Sequence, residues 1–290
     1  MNLIEWLVAF IPVLSFGLVP VIGTVIGGKP TEQSMGIALG GFIFALAVFV
    51  FRRPELSPFI FLVGFLSGVC WAVGSVGQFM GIGCLGVARS TPILNGGQII
   101  GTSLLGVMWG EWASAPAKTY GFTALALIIA GIFFTSYKQN SADGKKTQWG
   151  KGILINVIAA LGFTAYVGIL NYYKIDGWNS ILPQSTGQIT AIAGISLAMF
   201  KSRPFTRLSL RNGIIGLIWG IGNIALLLSQ ARLGLAVAYP VSQAAVIVSV
   251  FGGVLINKEH KTRREWVYVG IGMALICAGL FLIYLSEKTE

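Results

Sequence analysis

Four short stretches of the chain carry uncharged polar residues at helical spacing. In GVCWAVGSVGQF, Trp71, Gly74, Ser75 and Gln78 recur at three- and four-residue steps, which sets them on one helix face. In IIGLIWGIGNIALLLSQ, Trp219, Gly222, Asn223 and Gln230 do the same. RSTPILNGGQIIGT adds Asn95, Gln98 and Thr102 on one face, and AYPVSQAAVIVS adds Ser242 and Gln243. Asn and Gln each present a donor and an acceptor, which suits a ligand built of hydroxyls. A Trp face stacks on the apolar C–H side of a ring while its N–H still donates. Two Trp with several amides and no charge among them have the composition of a sugar site.

The elements that hold these residues follow from the balance of charge. The chain has 290 residues, 55% hydrophobic and only 10% charged, with a net charge of +10. A soluble domain carries about 25% charged residues, so this chain belongs in lipid. Stretches free of Asp, Glu, Lys and Arg cover 6–28, 33–51, 56–88, 90–110, 119–137, 152–173, 177–200, 212–231, 233–257 and 266–286. Each is at least 19 residues long, and a helix needs roughly 20 to cross the hydrocarbon. Their hydrophobicity is near-continuous rather than alternating, which excludes a barrel. Helices remain, because the backbone must bond to itself in lipid. The expected fold is all-α, with ten transmembrane helices.

Sliding the sequence by 148 positions aligns 68–133 with 216–281 without a gap. Trp71 meets Trp219, Gly74 meets Gly222, Pro92 meets Pro240, Asn95 meets Gln243 and Glu111 meets Glu259. Earlier in each half, Arg53-Pro54 resembles Arg203-Pro204 at a shift of 150. Five helices is an odd number, so the second copy enters the membrane from the opposite side. The expectation is two inverted five-helix repeats, 1–137 and 152–290, joined by a charged linker at 138–151. Inverted repeats are a ground plan of secondary transporters, with the substrate near the midplane. Lys and Arg concentrate in the loops around 138–151, 201–211 and 258–264, which reads as the cytoplasmic side.

Other chemistry is excluded. No charged residue falls inside an expected span, which argues against phosphates, nucleotides and cationic ligands. There is no Walker pattern. One histidine and three dispersed cysteines fit neither a catalytic cluster, a metal site nor a disulfide framework. No cofactor or metal is expected, and the positive charge reads as orientation and attraction to anionic lipid rather than nucleic-acid binding. Gly74 and Gly222 are read as close-packing positions, and Pro92 and Pro240 as helix starts. Asn156, Tyr166, Asn171, Gln184 and Gln188 are further polar candidates without a repeat partner to raise them.

The segments GVCWAVGSVGQFMGIG, STPILNGGQIIGTSLLGVMWGEW, GLIWGIGNIALLLSQ and YPVSQAAVIVSVFGGVLINKE resemble the bacterial glucose/ribose porter family, a branch of the drug/metabolite transporter superfamily. The resemblance runs along nearly the whole chain. It implies a multi-pass plasma-membrane protein that takes up glucose or ribose by proton symport. It implies a cavity walled by helices one, three, four, six, eight and nine, with Trp71, Gln78, Asn95, Gln98, Trp219, Asn223 and Gln243 in it. One departure stands out: no carboxylate lies within a span. Glu5, Glu111, Asp176 and Glu259 at the span ends are the nearest candidates for proton coupling, beside a structural reading as anchors. Facilitated diffusion without protons, and export of a neutral metabolite or amino acid, remain the alternatives.

Overall fold

The computed structural model describes residues 3–85, 87–137, 148–256 and 261–289. Among the described residues there are helices and no strands. In chain order they are α1 (Leu3–Ile26), α2 (Pro30–Arg52), α3 (Pro58–Leu85), α4 (Val87–Met108), α5 (Ala115–Thr135) and α6 (Trp149–Tyr172). The series continues with α7 (Gly177–Ala198), the short α8 (Arg207–Arg211), α9 (Gly213–Leu233), α10 (Leu235–Ser242), α11 (Ala245–Leu255) and α12 (Arg263–Lys288). Glu259 and residues 138–147 of the expected linker lie outside the described residues. The last residues of that linker already belong to α6, which begins at Trp149.

Polar residues at the span ends set where the helices begin. Ser114 caps α5 by accepting the Ala117 N–H, and Asp176 caps α7 by accepting the Trp178 N–H. Thr262 and Glu265 form a reciprocal capping box at α12. Pro92 and Pro240 do not start their helices; each is the sixth residue, inside α4 and α10.

Eight segments are long and apolar enough to cross a membrane, among them 235–255, which joins α10 to α11. The chain is thus an all-helical integral membrane protein. The helices α4 and α7, of 22 residues each, fall outside those eight. They are the ones that carry runs of Ser, Thr, Asn and Gln. Large apolar side chains such as Leu14, Phe51, Leu161 and Phe281 point outward, while Ser34, Ser67, Gln98, Gln184 and Asn223 are buried. That inversion is what a hydrocarbon solvent selects.

The packing exchanges helices across the chain. α3 lies against α6 and α7, and α9 lies against α1 and α2. α5 pairs with α12, α2 with α7, and α4 with α10. Small residues make these contacts close, as expected where lipid leaves shape to drive association. A Cβ built on Gly74 would fall 2.7 Å from the Phe163 ring, and one on Gly222 would fall 2.8 Å from the Phe16 ring. On α5, a Cβ at Gly131 would meet the Gly272 carbonyl and Ile276 Cγ1 at 2.7 Å. On α12, one at Gly279 would meet Ile128 Cγ1 at 2.6 Å and the Ala124 carbonyl at 2.9 Å.

The apolar run 233–257, expected as one helix, begins at the boundary with α9 and is interrupted once, between α10 and α11. Gly234 takes a φ of +83°, which separates α9 from α10. Between α10 and α11 the backbone tightens: Gln243 N–H bonds to Pro240 O, Ala244 N–H to Val241 O, and Val246 N–H to Gln243 O. These are three-residue steps of the 3₁₀ type, which tighten the backbone just after Pro240.

Candidate functional site

Trp71 of α3 and Trp219 of α9 meet inside the protein with ring centroids 4.8 Å apart and planes tilted by 57°. Both are buried, at 3% and 6% exposure. Phe163 of α6 packs edge-on against Trp71 at 6.2 Å, and Tyr166 follows Phe163 at 6.1 Å. Leu94, Leu235 and Tyr239 belong to the same buried cluster, as do Met35 of α2 and Ile192 of α7, so α2, α3, α4, α6, α7, α9 and α10 converge there.

Hydrogen-bonded amides border this aromatic pair. Asn223 Nδ2 donates to Gln184 Oε1 at 2.6 Å, and Gln184 Nε2 donates to Ser67 Oγ at 2.8 Å. The Ser67 hydroxyl in turn donates to the Tyr166 carbonyl at 2.6 Å. This chain crosses α9, α7, α3 and α6, and linked polar bonds in a low-dielectric interior polarise one another. On the opposite side, the Ser75 hydroxyl donates to Ser34 Oγ at 2.8 Å, joining α3 to α2. The Tyr239 hydroxyl donates to Gln98 Oε1 at 2.7 Å, joining α10 to α4.

Several expected site residues are thereby gathered. Trp71 and Trp219 touch, Asn223 is a turn beyond Trp219, and Gln98 is held by Tyr239 of the same cluster. Gln243 is buried at the break between α10 and α11, one turn past Tyr239, with its amide 3.4 Å from Ser242 Oγ. Asn95 is half-buried on α4, about 4.5 Å along the axis from Gln98. Gln78 is half-buried two turns from Trp71, roughly 10 Å along α3, and stands apart from the aromatic pair.

Of the further candidates, Asn156 is committed to structure: it accepts from Ser90 Oγ and donates to the Gly152 carbonyl. Gln184, by contrast, lies at the centre of the amide chain. Tyr239 escaped the sequence reading, because the position aligned with it at the 148-residue shift is Thr91 and not an aromatic residue. A helical-spacing signal was present, since Tyr239 and Gln243 are four residues apart.

The acidic candidates have identifiable positions. Glu111, in the turn after α4, accepts the N–H groups of Leu235 at 2.8 Å and Ala236 at 2.7 Å. It therefore caps α10 from across the protein, an arrangement the helix dipole favours. Gly234 is needed there, because a Cβ on it would lie 2.7 Å from the Glu111 carboxyl carbon. Asp176 is the cap of α7, and Glu5 lies in the first turn of α1. Glu259 is outside the described residues.

The family described as sugar transport protein matches residues 7–285. The glucose uptake protein GlcU of Bacillus subtilis is 35% identical over 289 residues, covering 99% of this chain and 100% of its own. A protein of Priestia megaterium described as "Probable glucose uptake protein GlcU" is 37% identical over 94% of this chain and 96% of its own. One solved crystal structure shares the fold, with a TM-score of 0.72 at 15% identity over 97% of this chain and 98% of its own. On a family match along almost the whole chain and full-length relatives above a third identical, the chain belongs to the sugar transport protein family and is a multi-pass transporter of the bacterial cell membrane.

Proposed function

We propose that this chain takes up a neutral monosaccharide, glucose or ribose, by alternating access. The observation that carries the reading is the Trp71–Trp219 pair, buried between uncharged amides where helices from both parts of the chain converge. An aromatic face and paired amides bind a hydroxylated ring without offering anything to a charged ligand. Among named relatives, the glucose uptake protein of Bacillus subtilis supports the choice of sugar.

Alternating access rests on a ten-span, two-repeat organisation. The partly polar α4 and α7 would be the two remaining spans: each is about 33 Å long and enclosed by neighbours, so its polar face avoids lipid. Pairwise contacts support an inverted repeat. The 148-residue shift carries Gly131, Gly272 and Ile276 onto Gly279, Ala124 and Ile128, and these two sets pack alike. Shifts of 147 and 148 carry Gly222–Phe16 onto Gly74–Phe163. Shifts of 150 and 148 carry the Ser34–Ser75 hydrogen bond onto Gln184–Asn223. In such a fold the halves rock about a central site. Here the tryptophans stack the ring, and Asn95, Gln98, Asn223 and Gln243 bond its hydroxyls in turn.

The proton gradient is the proposed driving force, with Glu111 the best placed of the acidic candidates. Its carboxylate links the end of α4 to the start of α10, so loss of its charge would loosen a contact between the halves. Facilitated diffusion is the second reading. It is favoured by the position of every described carboxylate at a helix end or in a loop. Uptake of labelled glucose and ribose into proteoliposomes, with and without an imposed proton gradient, tests both. Accumulation above the external concentration establishes coupling, equilibration alone establishes a facilitator, and no movement of either sugar rejects the reading.

A further inference from the structure

Gln188 is fully buried on α7, one turn beyond Gln184, and neither its Oε1 nor its Nε2 has a hydrogen-bond partner among the described residues. Buried amides are normally paired at both ends, as Gln184 and Asn156 are here. An amide left open at both ends in a dry interior is costly unless something else occupies it.

Its surroundings show what that occupant meets. Gly41 of α2 faces both Gln188 and Trp219. A Cβ built at Gly41 would lie 3.4 Å from Trp219 Cε3 and Cζ3 and 3.8 Å from Gln188 Oε1, ordinary contact distances to each. Nearby on α9, Asn223 donates through Nδ2 to Gln184, but its Oδ1 has no partner. The Gln188 amide, open at both ends, therefore lies beside the Trp219 edge, and the open Asn223 Oδ1 acceptor is one helical turn from Trp219 on α9. A hydroxyl both donates and accepts, so this set matches adjacent hydroxyls on one ring.

The arrangement is one-sided. The 150-residue shift that relates Arg53-Pro54 to Arg203-Pro204 places Ala38 opposite Gln188 and Ser34 opposite Gln184. Ala38 is buried and apolar, and Ser34 is satisfied by Ser75. Of these two pairs of positions, only the α7 member Gln188 leaves its polar atoms open. We infer that Gln188 is a hydroxyl-binding residue that holds the sugar off the axis between the halves, against α7. This assigns a binding role to a helix outside the set expected to wall the cavity, and it rests on the neutral-sugar reading above.

The test uses the full-length protein in proteoliposomes, with labelled glucose and ribose and a panel of their monodeoxy analogues. Gln188→Met keeps the length of the side chain and removes both polar atoms. The expected result is a rise of about tenfold in the KM of the transported sugar. The analogue lacking the partner hydroxyl, discriminated against by the wild type, is no longer discriminated against by this variant. Without sugar, Gln188→Met unfolds at a higher temperature than wild type, because an open amide has been removed from the interior. Gly41→Ala folds with an unchanged midpoint, since its methyl fits, yet weakens binding by occupying the space between Gln188 and Trp219. If wild type moves neither sugar, the neutral-sugar reading falls and this inference with it. If wild type transports but Gln188→Met keeps its KM and its full deoxy-sugar profile, the role of Gln188 alone is overturned. A lower unfolding temperature for Gln188→Met, or unaltered sugar affinity in Gly41→Ala, also overturns it.

Discussion

The Glu111 carboxylate accepts the backbone N–H of Leu235 at 2.8 Å, so a side chain from the turn after α4 forms the N-terminal cap of α10. The two residues are 124 apart in sequence. An acid at the end of a span, open to reading as a surface anchor, is instead a contact between the two parts of the transporter.

Replacing Glu111 tests that contact. Glu111→Ala leaves two N–H groups uncapped and should cost about 2–4 kcal/mol, taking charged hydrogen bonds at roughly 1.5–3 kcal/mol each and allowing partial solvation. Glu111→Gln keeps one acceptor and should cost about half as much. Thermal unfolding in lipid reads both. If Glu111 also carries the coupled proton, Glu111→Gln equilibrates sugar normally but does not accumulate it. Accumulation equal to wild type would leave Glu111 a structural cap only.

The tryptophan pair makes a graded prediction. Trp219→Phe retains an aromatic face and should insert and fold, with sugar affinity reduced on the order of tenfold. The Trp71→Ala/Trp219→Ala double variant should abolish specific uptake. Because each large-to-small change in a packed interior costs about 3–5 kcal/mol, insertion and folding must be checked alongside transport. Full uptake by a folded double variant would remove the pair from the site.

Tyr239 and Gln98 should be coupled. Tyr239→Phe and Gln98→Leu each break the same bond between α10 and α4, so the double variant should lose less stability than the two singles together. The coupling expected for such a bond in a membrane protein is about 0.6 kcal/mol and at most about 1.7. A double-mutant cycle by unfolding in lipid measures it. If Gln98 also meets sugar, both Gln98→Leu and Tyr239→Phe raise KM, the second through loss of positioning.

Gly131 and Gly279 should respond alike. Alanine at Gly131 presses on Gly272 and Ile276, and alanine at Gly279 presses on Ile128 and Ala124. Each should destabilise the α5–α12 contact by about 1–3 kcal/mol, the usual range for overpacking. The comparison is made by unfolding both variants in the same lipid. A large effect at one glycine and none at the other would count against the proposed repeat.

Residence in the membrane was legible because charge is expensive in hydrocarbon, so the ends of the apolar stretches had to be visible in composition. The polar faces with Trp71 and Trp219 were legible for a similar reason: 3.6-residue periodicity survives in the chain whatever the helix packs against. The 148-residue shift was legible because Trp, Pro and Glu are rare enough in such a composition to register an alignment. Gln184 and Gln188 were visible as polar residues but carried no rank. Their value depends on which atoms lie opposite, and that is not a local property.

The break at Gln243 was hidden for another reason. The run 233–257 is continuously apolar, and hydropathy does not sense a change in backbone hydrogen-bond step. By itself the sequence determined the solvent, the helical class and the residue types available to meet a neutral ligand, since each follows from composition or short-range spacing. Only the tertiary structure decided that α3 packs on α6 and α7 while α9 packs on α1 and α2, that Glu111 reaches α10, and that the Gln188 amide is left open beside Trp219. Those are contacts between residues far apart in the chain, set by which small-residue faces fit together once lipid has made every helix equally willing to be apolar outside.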